Sequence, residues 1–216
     1  ADDEAEQGLR WRKSSKIDVS DGLEHAGALV CEDITNDGLD DVVLAASDGV
    51  YVVRQKEDGT LSEPVKYPSS ARILGVKAAD IDGNGTNDLL MVTNDSEKPL
   101  QVRFGLESHE LGPQIKYSIE RSRAIKMHDI DDEQGQEILT IERQSRRLIC
   151  YKYSERENAE GQWPIRFYPL PSGEGQSDRQ MLVEDIDADG LEDIVISDPG
   201  ASEFIVYKQQ SQIGLA

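Results

Sequence analysis

The chain has 216 residues, with 43 acidic side chains against 23 basic ones and a formal net charge of −20. An acidic surface repels nucleic acid and anionic lipid, so we expect neither as a partner. No apolar run reaches the roughly 18 residues that a membrane helix needs, and we therefore expect no membrane insertion.

The first elements of the chain precede any repeated motif. Residues 1–8 are acidic and without periodicity, which is typical of a disordered lead-in. Residues 9–19 contain Trp11, Ile17 and Val19. This apolar content predicts a β-strand that has no acidic loop of its own.

A nine-residue acidic loop then occurs four times, each time before a hydrophobic run. The loops are residues 33–41 (DITNDGLDD), 80–88 (DIDGNGTND), 129–137 (DIDDEQGQE) and 185–193 (DIDADGLED). We number them loops one to four. Their first aspartates are separated by 47, 49 and 56 residues. A period of this size indicates a repeat architecture.

The residue types in these loops predict calcium sites. Oxygen-bearing side chains stand at positions 1, 3, 5 and 9, and a backbone carbonyl is available at position 7. Calcium prefers 6–8 oxygen ligands, which this pattern can supply. The predicted ligands are Asp33, Thr35, Asp37, Leu39 and Asp41 in loop one, Asp80, Asp82, Asn84, Thr86 and Asp88 in loop two, and Asp185, Asp187, Asp189, Leu191 and Asp193 in loop four.

Loop three is predicted to be a weaker site. Its ligands would be Asp129, Asp131, Glu133, Gly135 and Glu137. Gln134 stands at position 6, where the other loops have glycine. A left-handed backbone there would cost a non-glycine residue on the order of 1 kcal/mol. In loop one, Thr35 replaces a charged ligand, so that loop should also bind less tightly than loops two and four.

An EF-hand is the main alternative, and the sequence excludes it. An EF-hand loop needs a bidentate glutamate at position 12 and leads into a helix. Position 12 here is Leu44, Met91, Thr140 or Ile196. The runs that follow the loops are rich in Val, Ile and Leu, which predicts strands.

The segments around the loops predict four strands in each repeat. The residues four and two places before each loop are apolar, which is the period of a strand with one buried face. These residues are Leu29 and Cys31, Val76 and Ala78, Ile125 and Met127, and Met181 and Val183. An isoleucine at loop position 2 (Ile34, Ile81, Ile130 and Ile186) is expected to pack beneath each loop. The fourth repeat has no fourth strand, and nothing predicts a helix of useful length.

At this point the sequence resembles the FG-GAP or VCBS-type repeats of integrin α-chain-like β-propellers. The Asp-x-Asp-x-Asp-Gly-x-x-Asp loop between two strands carries the resemblance, which covers residues 9–208. It implies an all-β propeller of four-stranded antiparallel blades. Four blades are present, near 24–70, 71–120, 121–170 and 171–208, in a single domain over residues 1–216.

The family usually builds rings of seven blades, so we expect an open part of a larger propeller. The strand at 9–19 would then complete the last blade of the ring. A ladder between residues 16–19 and 204–207 would instead indicate a closed four-bladed ring.

The resemblance implies a calcium-binding, extracytoplasmic module for adhesion to a protein or carbohydrate ligand. The protein would be secreted, periplasmic or held at the cell surface. The alternative is a non-catalytic or pocket-bearing propeller module of a secreted polysaccharide-active enzyme. His25, His109 and His128 are scattered and belong to no catalytic motif, so we expect no enzymatic activity.

The cysteines and one group of basic residues lie outside the repeated motif. Cys31 and Cys150 form no disulfide framework and are expected to be buried thiols. Repeat three carries a cluster of basic residues, interpreted as a solvated hairpin with cross-strand charge pairs or as a contact site for an anionic partner. The cluster comprises Arg121, Arg123, Lys126, Arg143, Arg146, Arg147 and Lys152.

Overall fold

The computed structural model describes residues 16, 29–131, 133–145, 147–153, 165–168, 179–200, 202–210 and 214–215. These residues form seventeen β-strands, β1 to β17, and no helix. The prediction of an all-β chain built from repeated antiparallel sheets is therefore confirmed.

Three sheets have four strands each, in simple sequential order. Blade one contains β1 (Leu29–Glu32), β2 (Asp41–Ala46), β3 (Gly49–Val53) and β4 (Val65–Pro68). Blade two contains β5 (Ile73–Ala79), β6 (Asp88–Thr93), β7 (Leu100–Arg103) and β8 (Ile115–Tyr117). Blade three contains β9 (Ser122–His128), β10 (Glu137–Glu142), β11 (Leu148–Tyr151) and β12 (Ile165–Tyr168).

Blade four has three strands among the described residues, namely β13 (Met181–Glu184), β14 (Asp193–Asp198) and β15 (Glu203–Tyr207). The short strands β16 (Gln209–Gln210) and β17 (Gly214–Leu215) pair with each other. The predicted strand at 9–19 falls outside the described residues except for Lys16, and so does the ladder that would show a closed ring.

Each acidic loop joins the first two strands of its blade in the same register. The residue before the loop pairs with loop position 9 in all four blades. These pairs are Glu32 with Asp41, Ala79 with Asp88, His128 with Glu137, and Glu184 with Asp193. Position 9 is therefore the first residue of the second strand, and it is buried in every blade.

Three hydrophobic cores fill the spaces between successive blades. Between blades one and two, Val43, Val50 and Val52 pack with Val76 and Met91. Leu90 and Val102 meet Ile138 and Ile149 between blades two and three. Leu139 and Leu148 meet Val183 and Ile194 between blades three and four. Apolar burial therefore holds neighbouring blades face to face.

The burial predictions for three residues are wrong at the outer blades. Leu29 is 59% exposed, and Cys31 is exposed on the same face of β1. In blades two to four, the corresponding residues face the preceding blade, and blade one is the first of the described series. Cys150 is buried, as predicted.

Ile186 is the other exception, because it is exposed while Ile34, Ile81 and Ile130 are buried. Those three isoleucines belong to the cores shared with the following blade. Leu182, Phe204 and Val206 lie exposed on blade four together with Ile186. Blade four therefore ends the described series with an apolar face.

Candidate metal sites in the acidic loops

Loops one, two and four share one backbone arrangement. The carboxylate at position 1 accepts hydrogen bonds from the N–H groups of positions 5 and 6. The distances are 3.1 and 2.8 Å for Asp33, 3.1 and 2.8 Å for Asp80, and 3.2 and 2.9 Å for Asp185. Glycine at position 6 has a positive φ in each loop, 86°, 84° and 89°. The motif thus folds into the same turn in all three loops, closed by the carboxylate at position 1.

The side chain at position 5 is also oriented by the backbone. Its oxygen accepts the N–H of position 7 at 3.0 Å in loop one, 2.7 Å in loop two and 3.0 Å in loop four. The acceptors are Asp37, Asn84 and Asp189, and the donors are Leu39, Thr86 and Leu191. These Asx turns fix three of the predicted oxygen ligands before any ion binds.

Loop two brings three carboxylates together. Oxygens of Asp80, Asp82 and Asp88 lie within 4.8 Å of one another. Asp88 is fully buried, and it accepts the N–H groups of Ile81 at 2.7 Å and Gly105 at 2.8 Å. Burial raises the pKa of Asp88 to about 7, and the charges of Asp82 and Asp80 add to this effect. A cation between the three carboxylates would relieve both effects.

Loop four gathers Asp185, Asp187 and Asp193 in the same way. The Oδ1 of Asp193 accepts the N–H of Gln209 at 2.9 Å, whereas its buried Oδ2 makes no hydrogen bond among the described residues. Lys208 Nζ lies 2.7 Å from Asp187 Oδ2. That hydrogen bond lowers the pKa of Asp187. The unsatisfied oxygen of Asp193 fits a metal ion as its missing partner.

Loop one does not gather three carboxylates within that distance. Asp41 Oδ2 accepts both the N–H of Thr35 at 3.1 Å and its hydroxyl at 2.9 Å. The other oxygen of Asp41 accepts the N–H of Gln55 at 3.0 Å. The threonine at position 3 therefore satisfies the buried carboxylate without a cation.

Loop three differs from its sequence interpretation. Gln134 does not take the glycine conformation, because Gly135 has the positive φ, at 91°. The backbone strain expected at Gln134 is therefore absent. Asp129, Asp131 and Glu137 lie within 4.8 Å of one another. Lys152 lies beside this group, with its Nζ 2.7 Å from Asp131 Oδ2.

Hydrogen bonds connect loops one, two and three each to the next blade. Asn87 Nδ2 donates to the carbonyl of Asp33 at 3.0 Å, and Gln136 N donates to the carbonyl of Asp80 at 2.7 Å. The side-chain amide of Gln209 donates to the carbonyl of Ile130. The loops therefore form a connected row along one edge of the blades.

Sequence analysis missed these donors and also the role of one histidine. The ring of His109, in blade two, contacts the carbonyl of Thr35 in loop one. The carbonyl of His109 accepts Arg54 Nη2 at 2.7 Å. Asn87 and Gln136 both stand at loop position 8, but Asn87 donates through its side-chain amide and Gln136 through its main-chain N–H, so only the Asn87 side chain offered a sequence signal for a contact between loops.

The basic cluster of repeat three divides between neighbours. Lys152 contacts the carboxylates of Asp131 and Glu133 in loop three, and Arg121 Nη2 lies 3.4 Å from the carbonyl of Asn94 in blade two. Glu120 accepts the N–H of Ser145 at 2.9 Å at the hairpin turn. Lys152 is therefore held by carboxylates within its own blade.

Comparison with known proteins supports the repeat assignment. A family model described as an FG-GAP-like repeat matches residues 33–91, which span loops one and two. Residues 33–91 therefore match an FG-GAP-like repeat, as the resemblance predicted. No curated protein matches the sequence. No helix in the described ranges is long and apolar enough to cross a membrane.

Solved structures show the same fold at low sequence identity. A lectin from Agrocybe aegerita, solved for its recognition of non-reducing terminal N-acetylglucosamine, is 13% identical with a TM-score of 0.55. The pore form of the Photorhabdus luminescens Tc holotoxin is 16% identical with a TM-score of 0.54. The matches cover 86% and 83% of this chain, but 52% of the lectin chain and 9% of the toxin chain. At these identities the likeness concerns the fold, which is of the β-propeller type.

Proposed function

We propose that this chain is a calcium-binding β-propeller module that binds a protein or carbohydrate ligand outside the cell and catalyses no reaction. The observation that carries the calcium assignment is the convergence of three carboxylates in loops two and four, each with one aspartate buried at position 9. Oxygen-only ligand sets of this kind suit calcium better than a transition metal.

Loop two is the stronger of the two proposed sites. Phe104 stands at the position that Lys152 and Lys208 occupy in blades three and four. Its ring packs against Tyr153, with 5.2 Å between the two ring centroids. In loop four, an ion would have to displace the ammonium of Lys208 from Asp187. The Lys208 side chain is 56% exposed, so it can move into solvent at little cost. Both loops therefore accept an ion, with the tighter binding in loop two.

The calcium assignment is tested by counting ions. Asp82→Ala and Asp187→Ala each remove one carboxylate from the proposed sites, and we expect each variant to bind one ion fewer than wild type by isothermal titration calorimetry. Asp58→Ala is the control, because Asp58 is an exposed turn residue that bonds Thr60. An unchanged stoichiometry in both loop variants would refute the assignments.

Chelation should lower the thermal stability. If the sites have the affinities of extracellular modules, about 0.1–1 mM, a few millimolar calcium contributes roughly 0.5–2 kcal/mol for each occupied site. For a domain of this size, that corresponds to a rise in Tm of roughly 1–8 °C per site. Scanning calorimetry in calcium and in EDTA measures the difference, and identical melting curves would count against bound calcium.

The ligand class is tested by binding assays with and without calcium. The Agrocybe aegerita lectin of the same fold recognises non-reducing terminal N-acetylglucosamine, which makes glycans that end in this sugar a first choice on an array. A pull-down from extracellular extract tests protein ligands in parallel. We expect binding in calcium that weakens in EDTA. Release of reducing ends from polysaccharides would contradict the non-catalytic assignment.

A further inference from the structure

The acidic side chains of loop three contact a cation that the protein itself supplies, the ammonium group of Lys152. Lys152 Nζ lies 2.8 and 2.7 Å from the two oxygens of Asp131 and 2.7 Å from Oε2 of Glu133. It also lies 3.5 Å from Oε1 of Glu137. One ammonium group therefore contacts the side chains at loop positions 3, 5 and 9, which are the positions predicted to bind calcium.

We infer that the ammonium of Lys152 takes the place of the metal ion in loop three, so that this loop neither needs nor binds calcium. An ammonium has three donors; here two of them bond to Asp131 and one to Glu133, while Oε1 of Glu137 lies 3.5 Å away as an ion-pair partner that makes no hydrogen bond among the described residues. Calcium would need the same oxygens at 2.3–2.6 Å, in the volume that Nζ already fills. The two cations therefore exclude each other.

The surroundings of Lys152 favour the lysine over an ion. The Lys152 side chain is 24% exposed, and Glu137 beneath it is buried. Removing Lys152 would leave the buried carboxylate of Glu137 without its cation.

The residues at the same register position in blades two and four can be compared with Lys152. Tyr151 pairs with Ile138 and Tyr207 pairs with Ile194, so Lys152 and Lys208 come to equivalent places beside their loops. Lys208 is more exposed and hydrogen bonds to Asp187. Blade two has Phe104 at this place. The cation position is therefore filled by Lys152 in loop three. In loop four, Lys208 and an external ion compete for it, and in loop two only an external ion can fill it.

The decisive variant is Lys152→Met, which keeps the length of the side chain and removes its charge. The inference rests on the proposed function only in assuming that the ion is calcium. The probe is therefore calcium chloride, added to protein that has been treated with EDTA. We expect wild type to bind two ions and Lys152→Met to bind three. In EDTA the variant should melt roughly 5–15 °C below wild type, and millimolar calcium should restore much of the loss.

Two controls accompany this variant. Lys56→Met removes an exposed lysine with the same change in net charge, and Lys152→Arg retains a cation in loop three. Neither should gain an ion. In the wild-type background, Asp131→Asn should leave the number of bound ions unchanged, because no ion occupies that loop.

Two results would overturn the inference: loss of an ion in Asp131→Asn, or a folded Lys152→Met that gains none. Should Lys152→Met fail to fold even with calcium, the Asp131→Asn measurement decides alone. A wild type that binds no calcium beside a Lys152→Met that binds one ion would refute the proposed function and support the inference. Two ions bound by wild type and also by Lys152→Met would support the proposed function and refute the inference.

Discussion

We expect Arg179→Met to lower the free energy of unfolding by about 3–5 kcal/mol, the usual cost of removing one partner from a buried ion pair. Arg179 Nη2 lies 2.8 Å from Asp198 Oδ2, and both side chains are 7% exposed. The substitution leaves the carboxylate of Asp198 buried without its cation. Chemical denaturation in saturating calcium measures the loss.

The control for this prediction is an exposed ion pair. Lys66 contacts Asp48, and both side chains are far more open to solvent. Lys66→Met should therefore cost less than about 1 kcal/mol. Adding Asp198→Asn to Arg179→Met should recover much of the stability, because it removes the uncompensated charge. If Arg179→Met proves as mild as Lys66→Met, the buried pair does not stabilise blade four.

Gly135→Ala should cost about 2–5 kcal/mol. Gly135 has a φ of 91°, and a Cβ there would lie 2.6 Å from the carbonyl oxygen of Ile81 in blade two. The left-handed backbone accounts for about 1–2 kcal/mol and the overlap between blades for a further 1–3 kcal/mol. The loss is measured by denaturant unfolding in EDTA, which keeps ion binding out of the comparison.

Gly190→Ala is the matched control. Gly190 has nearly the same φ, 89°, but a Cβ there would meet no atom within 4 Å. We expect only the backbone cost of about 1–2 kcal/mol at this position. Equal losses of stability in the two variants would show that the backbone around Gly135 and Ile81 moves apart at little cost, and would contradict a tight contact between loops two and three.

The blades could be predicted from sequence because every repeat meets the same physical requirement. Each loop must join two paired strands, and its position 9 begins the second of them, so the position of the aspartates fixes the register. The predictions failed where burial depends on a neighbouring blade. Leu29 and Ile186 fit the pattern of their repeats, but their exposure is decided by what packs against blades one and four.

Loop three shows a second limit of the sequence reasoning. The rule that position 6 needs glycine treats a loop as isolated, whereas the backbone turn there uses Gly135 against Ile81 of blade two. The partner of the loop, Lys152, lies far along the chain and is brought in by strand pairing. A signal did exist, since a Tyr-Lys pair ends the third strand at 151–152 and again at 207–208.

The hydrogen bonds from each blade to the loop before it make the four blades a nearest-neighbour array. In such an array, stability is a sum of blade terms and interface terms. The loops contribute to the interface terms, because Gln136 bonds to loop two and Gln209 to loop three. An ion that orders loop two would therefore strengthen the junction between blades two and three as well as its own blade. Its effect would appear as greater cooperativity, with a narrower unfolding transition for the whole array.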